Sequence, residues 1–338
     1  MTPGRFVRGI GRRLRRAPNK ARTVRLAATA RLLRAVRPGP ATEERILRMN
    51  WTSRDAARLD EYLVIGWQNP RINMQSLLIR HALIRHLFGT EFDALMRDEI
   101  VFAVELNEAL RLESARQQFV IHSYLDERRQ ARIHEISRVI ASREHEFEHR
   151  WRETLAGRSA GPVSVLEFAC GSANDYRAFV DYGLAPFLEY SGIDLNPKNI
   201  DNAKRRFPAA NFSVGNVLET GLGDGSVDYV IVSDLFEHLP IPVATQAIEE
   251  AARIARVGLV LSFFNMADVP EHVDRPTAAY HWNLLSRGQI EARLRAVFPD
   301  VQVISIPAWL ESDFGYAHTY NPAAWTMVAE HPAGALPA

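Results

Sequence analysis

The chain has 338 residues, of which 47% are hydrophobic and 24% charged, a balance typical of globular proteins and long enough for two domains. No apolar run approaches the ~18 residues that a membrane span needs, so the sequence predicts no such span. The single cysteine, Cys170, rules out an internal disulfide and favours a cytoplasmic location.

The net charge of +1 conceals a basic N-terminus. Residues 1–42 hold eleven arginines, one lysine and no acidic residue, so residues 43–338 carry a net charge of −11. Apolar residues such as Phe6, Ile10 and Leu14 lie between the arginines. We interpret residues 1–41 as a basic arm, which is either a mobile tail or a weak ligand of an anionic membrane surface or of nucleic acid.

An all-α region is predicted over residues 42–157, after the break at Pro38-Gly39-Pro40. Gly and Pro are rare there, and apolar residues recur at helical spacing. The longest such series is Ile133, Ile136, Ile140, Phe147, Trp151 and Leu155. Because such apolar stripes do not stay exposed, we expect this region to cover a functional site or to form a homodimer.

One pattern inside this region has the spacing of a helical zinc site, His145-Glu146-Phe147-Glu148-His149. Its neighbours include Arg143, Arg150 and Arg152, which indicate a solvated charged stripe, and no third ligand is placed nearby. Short motifs of this kind match easily by accident. We therefore predict no metal site.

Beyond a linker at residues 157–162, short apolar segments alternate with helical ones, such as Pro197–Arg206 and Val243–Arg256. The predicted strands are Val163–Phe168, Tyr190–Asp194, Asn211–Val214, Tyr229–Ser233, Leu259–Phe264, Ile304–Pro307 and Ala324–Ala329. Such alternation predicts an α/β domain, with a parallel sheet covered by helices on both faces. We place this domain at residues 161–330 and treat residues 331–338 as a tail.

Four blocks of this domain are typical of a nucleotide-like ligand site. The first strand runs into the small-residue turn Ala169-Cys170-Gly171-Ser172-Ala173, where the backbone can approach a ligand. Asp194 closes the second strand, where an acid can accept hydrogen bonds from ribose hydroxyls. Asn216 and Val217 follow the third strand, and the segment 234–239 follows the fourth.

In order and spacing these blocks resemble the class I S-adenosylmethionine-dependent methyltransferase family, close to its small-molecule branch. The resemblance covers about residues 161–330 and implies a Rossmann-like seven-stranded methyltransferase sheet, methyl transfer as the activity and S-adenosyl-L-methionine as the cofactor. It implies cofactor contacts for Glu167, Ala169 and Gly171 (first loop, methionine end), Asp194 (ribose), Leu195, Asn216 and Val217 (adenine) and Ser233 (methionine side).

The sequence departs from the family pattern at two places. Ala169 and Ala173 stand where members usually have glycine, and alanine resists a positive φ. Asn216 stands where an aspartate is common, so an acceptor oxygen is kept but its charge is lost.

Two absences narrow the methyl acceptor. No Asp/Asn-Pro-Pro-Tyr/Phe motif follows the fourth strand, where family members that methylate the exocyclic amines of bases carry it. The only cysteine lies in the cofactor turn, which excludes a catalytic thiol at a pyrimidine carbon. We therefore expect a hydroxyl or an amine of a small molecule or glycan, and do not expect nucleic acid as a partner.

A hydroxyl acceptor needs a general base, for which histidine is suited near neutral pH. His238 follows the fourth strand, beside the methyl position that the resemblance implies, and His281 lies in the long segment after the fifth strand. Packing roles are the alternative for both. At the level of the whole protein two alternatives stay open: a nucleic-acid or protein methyltransferase that uses the basic arm, and a non-catalytic scaffold that binds the cofactor.

Overall fold

A computed structural model describes residues 71–112, 146–277, 280–316 and 321–331, and the predictions made for residues 1–41 lie outside this part of the chain. Residues 70–107 and 144–338 form one compact unit. This unit therefore contains helices from both sides of the boundary expected near residue 160. The division of the chain into an arm, a helical domain and a sheet domain stays a prediction.

A seven-stranded sheet forms the centre of this unit. Its strands are β1 (Val163–Phe168), β2 (Leu188–Asp194), β3 (Asn211–Val214), β4 (Val227–Ser233), β5 (Ala255–Phe263), β8 (Asp300–Ser305) and β9 (Trp325–Glu330). They lie in the order β3-β2-β1-β4-β5-β9-β8. Only β9 runs antiparallel to its neighbours β5 and β8, which confirms the predicted Rossmann-like sheet. Two short strands, β6 (Met266–Ala267) and β7 (Leu285–Ser286), pair separately.

Helices cover the sheet in the way that strand–helix alternation predicts. Those within the α/β part are α4 (Asn174–Asp181), α5 (Pro197–Arg206), α6 (Ile241–Ile254), α7 (Arg287–Arg295) and α8 (Ile306–Phe314). Apolar residues of α6 and α7 and alternate residues of β4 and β5, among them Val230, Val232, Leu259 and Leu261, form one large core cluster. Burial of that cluster fixes which face each strand residue takes.

Three helices from the predicted all-α region contribute to the same unit: α1 (Met74–Phe88), α2 (Asp93–Leu112), which belongs to it as far as Asn107, and α3 (Glu146–Leu155). Asn73 caps α1, since its side-chain oxygen accepts from the amides of Gln75 and Ser76. Phe147, Trp151 and Leu155 are all buried, as the helical series predicts, whereas its earlier members lie outside the described residues. Gln75 also donates to the carbonyls of Phe263 and Trp325, so α1 begins at the carboxyl end of β5.

A buried polar network joins these three helices. Glu99 of α2 accepts hydrogen bonds from Arg80 at 2.9 Å, His81 at 2.8 Å and Trp151 at 2.8 Å. The Arg80 guanidinium also lies 3.7 Å from the centre of the Tyr182 ring. Burial acts to raise the pKa of Glu99, but the charge of Arg80 and the hydrogen bond from His81 outweigh it and lower that pKa to about 2. The network therefore holds an ionised carboxylate in the core.

Two predicted boundaries are wrong. Ile306 and Pro307, expected in a strand, begin helix α8, because proline at the first helical turn needs no amide partner. Ala255 and Arg256, expected at the end of a helix, begin β5.

Among the described residues, no helix is both long and apolar enough to cross a membrane.

Candidate active site at the carboxyl edge of the sheet

The turn after β1 has an unusual backbone. Gly171 has φ 55°, and Ala169 and Ala173, which stand at the two departures from the family's glycines, have φ 52° and φ 65°. A left-handed alanine costs about 1 kcal/mol or more relative to a relaxed one. The turn thus keeps the glycine-type path in spite of its alanines. In the described part of the chain, Asp234 is the one other non-glycine residue with positive φ, so this strain is confined to one edge of the sheet.

Asp194 at the end of β2 braces this turn. Its Oδ2 accepts from the Gly171 amide at 3.0 Å, and its Oδ1 accepts from the Asn196 amide at 2.7 Å and from the Asn199 side chain at 3.2 Å. Because a carboxylate oxygen has two lone pairs, Oδ2 keeps one acceptor position beside the turn. The carboxylate is therefore held in place and still able to accept a ligand hydroxyl.

Exposed apolar side chains lie next to Asp194. Leu195 is 67% exposed and Val214, at the end of the neighbouring β3, is 54% exposed. Asn216 uses its side-chain oxygen to accept from the Leu218 amide at 3.1 Å. The side chain of Val217 is buried in the core cluster, so the expected adenine contact of this residue would be made by its backbone.

Glu167 is buried at the end of β1, where it accepts a hydrogen bond from the Tyr190 hydroxyl at 2.5 Å. Burial raises its pKa well above the usual value, and the nearby charges of Asp175 and Asp194 act in the same direction. The Tyr190 contact was not visible in the sequence, because it joins two strands. It holds the Glu167 carboxylate in place at the end of β1, directly before the turn.

The exit of β4 brings His238 to the same edge as the turn. Ser233 ends the strand, and Val232 pairs with Phe168 of β1. His238 follows in a short 3-10 helix, with Nε2 3.1 Å from Asp234 Oδ1 and Nδ1 3.2 Å from the His281 carbonyl oxygen. Both neighbours are acceptors, so both ring nitrogens can bond only as N–H donors, in the imidazolium form.

The pKa of His238 agrees with that geometry. Burial acts to lower it, but the hydrogen bond and charge of Asp234, the charge of Glu237 and the carbonyl of His281 together raise it. A histidine that holds its proton in this way is a poor acceptor for a second one. The spacing of Asp234 and His238 by four residues is a signal that sequence reasoning missed.

The family is evident from the segment that builds this edge. Residues 165–258, which run from β1 into β5, match the family model described as a methyltransferase domain. The sheet order, the turn after β1 and the acid that ends β2 accompany that match. This segment is a methyltransferase domain of the class I family, whose members depend on S-adenosylmethionine.

Two curated relatives match parts of this chain. An uncharacterized 37.1 kDa protein in transposon TN4556 of Streptomyces fradiae is 30% identical over 98 residues, 28% of each chain. A probable S-adenosylmethionine-dependent methyltransferase of Mycolicibacterium smegmatis is 26% identical over 152 residues, 44% of this chain and 56% of that one. The chain thus spans about a quarter to just over half of these relatives.

A solved structure gives a third comparison. The 1,6-didemethyltoxoflavin-N1-methyltransferase of Burkholderia thailandensis, with bound 1,6-didemethyltoxoflavin and S-adenosylhomocysteine, is 14% identical to this chain. The match covers 55% of this chain and 76% of that one, with a TM-score of 0.38.

The residues of the methyltransferase edge fit S-adenosylmethionine. A Cβ added to Gly171 would meet no atom within 4 Å, so the space above the turn is open to a ligand. Asp194 offers an acceptor to the ribose, and the exposed Leu195 and Val214 offer apolar surface to the adenine. When bound there, the cofactor would supply a methyl group on a reactive sulfonium.

A second histidine with a carboxylate partner lies beside His238. His281 Nδ1 is 2.8 Å from Asp274 Oδ1, and the His281 amide donates to the His238 carbonyl at 3.2 Å. A carboxylate at Nδ1 fixes the tautomer that leaves a lone pair on Nε2. Within the described residues Nε2 has no hydrogen-bond partner. Asp274 was missed because it lies in a loop with no periodic pattern.

Two aromatic rings flank His238. Tyr280 lies edge-on at 5.3 Å between ring centres, and Trp282 lies tilted at 5.2 Å. Their side chains are 53% and 40% exposed, respectively. By contrast, Phe314 ends helix α8, Tyr316 follows it, and both pack in a separate core cluster.

Glu237 turns away from His238, into the core. It is fully buried, and its Oε1 accepts from the Phe264 amide at 2.6 Å, while its own carbonyl accepts from the Asn283 amide at 2.9 Å. These bonds fasten the exit of β4 to both ends of the loop that carries His281. Burial, with the charge of Asp234, raises the pKa of Glu237 from 4.5 to about 7.

This pKa predicts a pH-dependent stability. Because the folded pKa exceeds the unfolded one, the contribution of protonated Glu237 is fully present below about pH 4.5 and is lost as pH rises through about 7. Glu237→Gln keeps the acceptor for Phe264 without the charge. Between about pH 5 and pH 8 we expect the wild type to lose on the order of 3 kcal/mol more stability than the variant. Urea unfolding at several pH values measures this, and parallel pH profiles would contradict it.

The sequence predicts no catalytic thiol at Cys170. Burial raises the pKa of the Cys170 thiol, with the charges of Glu167 and Asp194 acting in the same direction, so this thiol stays protonated.

The zinc-like pattern at residues 145–149 is only partly described by the structure. His145 lies outside the described residues, His149 is exposed and 3.0 Å from Glu153, and Glu148 pairs with Arg71. In the described segments no three His, Cys, Asp or Glu side chains are grouped to hold a metal ion.

Proposed function

We propose that this protein transfers the methyl group of S-adenosylmethionine to a hydroxyl, or an amine, of a small molecule or glycan. One observation carries the hydroxyl: the His281–Asp274 pair lies next to His238, at the edge of the sheet where the cofactor turn ends. This pairing of a histidine with a carboxylate suits a general base, which an aliphatic hydroxyl needs and the sulfonium itself does not supply.

In the proposed reaction His281 Nε2 accepts the proton of the acceptor hydroxyl as its oxygen attacks the methyl carbon. The bound S-adenosylmethionine would supply this methyl group through cleavage of its carbon–sulfur bond and would be released as the neutral thioether S-adenosylhomocysteine. Asp274 stabilises the imidazolium that forms on His281. His238 is a positioning residue, because its hydrogen bond to the His281 carbonyl ties the base to the exit of β4. Most of the rate gain then comes from alignment of the two reactants.

The exposed rings of Tyr280 and Trp282 support a ring-shaped acceptor. Aromatic faces bind the apolar faces of sugars and planar rings, and both rings lie against His238 and flank the proposed base, His281, along the chain. The acceptor would lie on these rings with one hydroxyl toward His281.

We also propose a cytoplasmic location for the protein, contact of its basic arm with a membrane, and a homodimer formed through the all-α region.

A methyl-transfer screen tests this function. The full chain is incubated with S-adenosylmethionine labelled in its methyl group and with panels of phenols, polyols, sugars and amines, alongside RNA and protein. We expect label in a small hydroxylated acceptor. Label in RNA or protein that is lost when residues 1–40 are deleted would instead support the alternative that uses the basic arm. No transfer and no cofactor binding would contradict an enzyme.

Cofactor binding predicts a loss on changing Asp194. Asp194→Ala removes the ribose acceptor and the brace of the Gly171 amide, a charge-assisted contact worth about 1.5–3 kcal/mol. Calorimetry should show roughly tenfold to hundredfold weaker binding of S-adenosylmethionine. Asp224→Ala is the matched control, since Asp224 is exposed and pairs with Arg253. Equal affinity of the two folded variants would rule out the ribose contact.

A further inference from the structure

A cavity of about 600 Å³ lies toward the amino end of β4, away from the active-site edge. Helices α1, α2 and α8 and strands β4, β5, β8 and β9 line it. On β4 the cavity is lined by Tyr229. This residue precedes Ser233, at the carboxyl end of the strand, by four residues, which is roughly 13 Å along the strand. Val230 and Ala329 point into the large core cluster, so their neighbours Tyr229 and Val328 point to the opposite face, where the cavity lies.

The inner wall of the cavity is apolar. It is built by Leu78, Ala82, Met96, Ile100, Ile304, Trp309, Phe314 and Val328. Trp309 and Phe314 stand edge to face, with 5.4 Å between ring centres. A volume of this size falls within the range of roughly 300–1,000 Å³ that small organic ligands occupy, and the wall suits an acyl or aryl body.

Each acid that lines the cavity has a partner. Asp93 is 2.8 Å from the Arg85 guanidinium. The Asp313 carboxylate accepts from the Ser312 hydroxyl at 2.6 Å, and that of Glu330 accepts from the Tyr229 hydroxyl. Arg85 thus balances the charge of Asp93, whereas the neutral hydroxyl donors direct the oxygens of Asp313 and Glu330 without removing their charge.

Arg97 lies at the cavity mouth and differs from the lining acids in the kind of partner it has. Its guanidinium donates to the Asp313 carbonyl at 3.1 Å and lies 4.9 Å from the centre of the Phe314 ring. Within the described residues no carboxylate forms a salt bridge with it. Arginine placed in this way, next to an apolar wall, recognises an anionic head group through charge-assisted hydrogen bonds.

We propose that this cavity binds an apolar organic anion, with the acyl or aryl body against Trp309 and Phe314 and a single carboxylate or sulfonate head group on Arg97. This ligand is distinct from the methyl acceptor, because the cavity lies away from the carboxyl edge. The proposal does not depend on the methyl-transfer function.

Fluorescence of 8-anilinonaphthalene-1-sulfonate tests the site on the full chain. S-adenosylhomocysteine is added in excess, so that the sheet edge is not available to the probe. We expect saturable binding by the wild type, with displacement by dodecanoate at lower concentrations than by the uncharged dodecan-1-ol. Arg97→Gln should weaken the probe and dodecanoate about tenfold or more and leave dodecan-1-ol unchanged.

Two further variants complete the test. Ala82→Trp fills the cavity from helix α1 and should abolish binding of all three molecules. Arg293→Gln is the matched control, because Arg293 pairs with Glu249 on another helix, away from the cavity, and should bind as the wild type does. No saturable binding by the wild type, or equal affinities in the wild type and Arg97→Gln, would overturn the proposal. If Ala82→Trp fails to fold, Arg97→Gln decides alone, since its side chain is at the mouth.

Discussion

Replacement of His281 by alanine is expected to lower the turnover of a hydroxyl acceptor by about 10²–10⁴-fold, the usual range for loss of a general base. The structure gives the reason, because Asp274 occupies Nδ1 and leaves Nε2 as the proton acceptor. His281→Asn should not restore turnover, since an amide cannot take up the proton. S-adenosylmethionine affinity should stay near that of the wild type, because the expected cofactor contacts lie on β1 to β4.

Two further variants, His238→Ala and Asp274→Asn, separate the role of His281 from those of its neighbours. Asp274→Asn should lower turnover less than His281→Ala, because it loosens the orientation of the His281 ring without removing it. His238→Ala should also lower turnover less than His281→Ala, because it removes only the hydrogen bond that positions the base. Loss of turnover in His238→Ala with a near-normal His281→Ala would assign the base to His238 instead.

The second large effect is expected on stability, at Glu99. Glu99→Ala leaves Arg80 charged in the core and removes the acceptor of His81 and Trp151. Removal of one partner of a buried ion pair costs about 3–5 kcal/mol, because the remaining charge is then uncompensated. Urea unfolding of the full chain measures this loss. The same network should weaken in acid, as pH falls from about 4.5 toward the Glu99 pKa of about 2.

Asp98→Ala is a sharp control for Glu99→Ala. Asp98 is the preceding residue on the same helix, but its pair with Arg150 is on the surface, with both side chains exposed. Exposed ion pairs contribute about 1 kcal/mol or less, so this variant should unfold near the wild type. Similar losses for both variants would contradict the view that Glu99 holds the three helices together.

Much of the methyltransferase sheet could be predicted from the sequence, because its signals are local. Strands β1 and β3 have the predicted bounds, and the other five main strands differ by a few residues at their ends. The turn after β1 and the acid that ends β2 were visible for the same reason. Small residues in a turn and an acid at a strand end can both be recognised from the residues next to them in the chain. The positive φ of Ala169 and Ala173 shows that the fold imposes this path even without glycine.

The roles of individual polar side chains were not predictable in the same way. The sequence shows Glu237 and His238 as neighbours, yet the structure turns one into the core and the other toward Asp234. Likewise, only the folded loop brings Asp274 to His281. Charge, burial and hydrogen-bond direction at these positions depend on elements far apart in the chain, so no local pattern reports them.

By itself, then, the sequence determined an α/β domain with a largely parallel sheet and the position of the small-residue turn after its first strand, and it carried the resemblance to the methyltransferase family. The α/β pattern and the turn were visible because hydrophobic period and small-residue turns act over a few residues. Only the tertiary structure decided that α1, α2 and α3 share one unit with the sheet, joined through buried Glu99. Only it decided that both nitrogens of His238 are bonded while His281 keeps one for a substrate, because long-range packing sets which donors and acceptors meet.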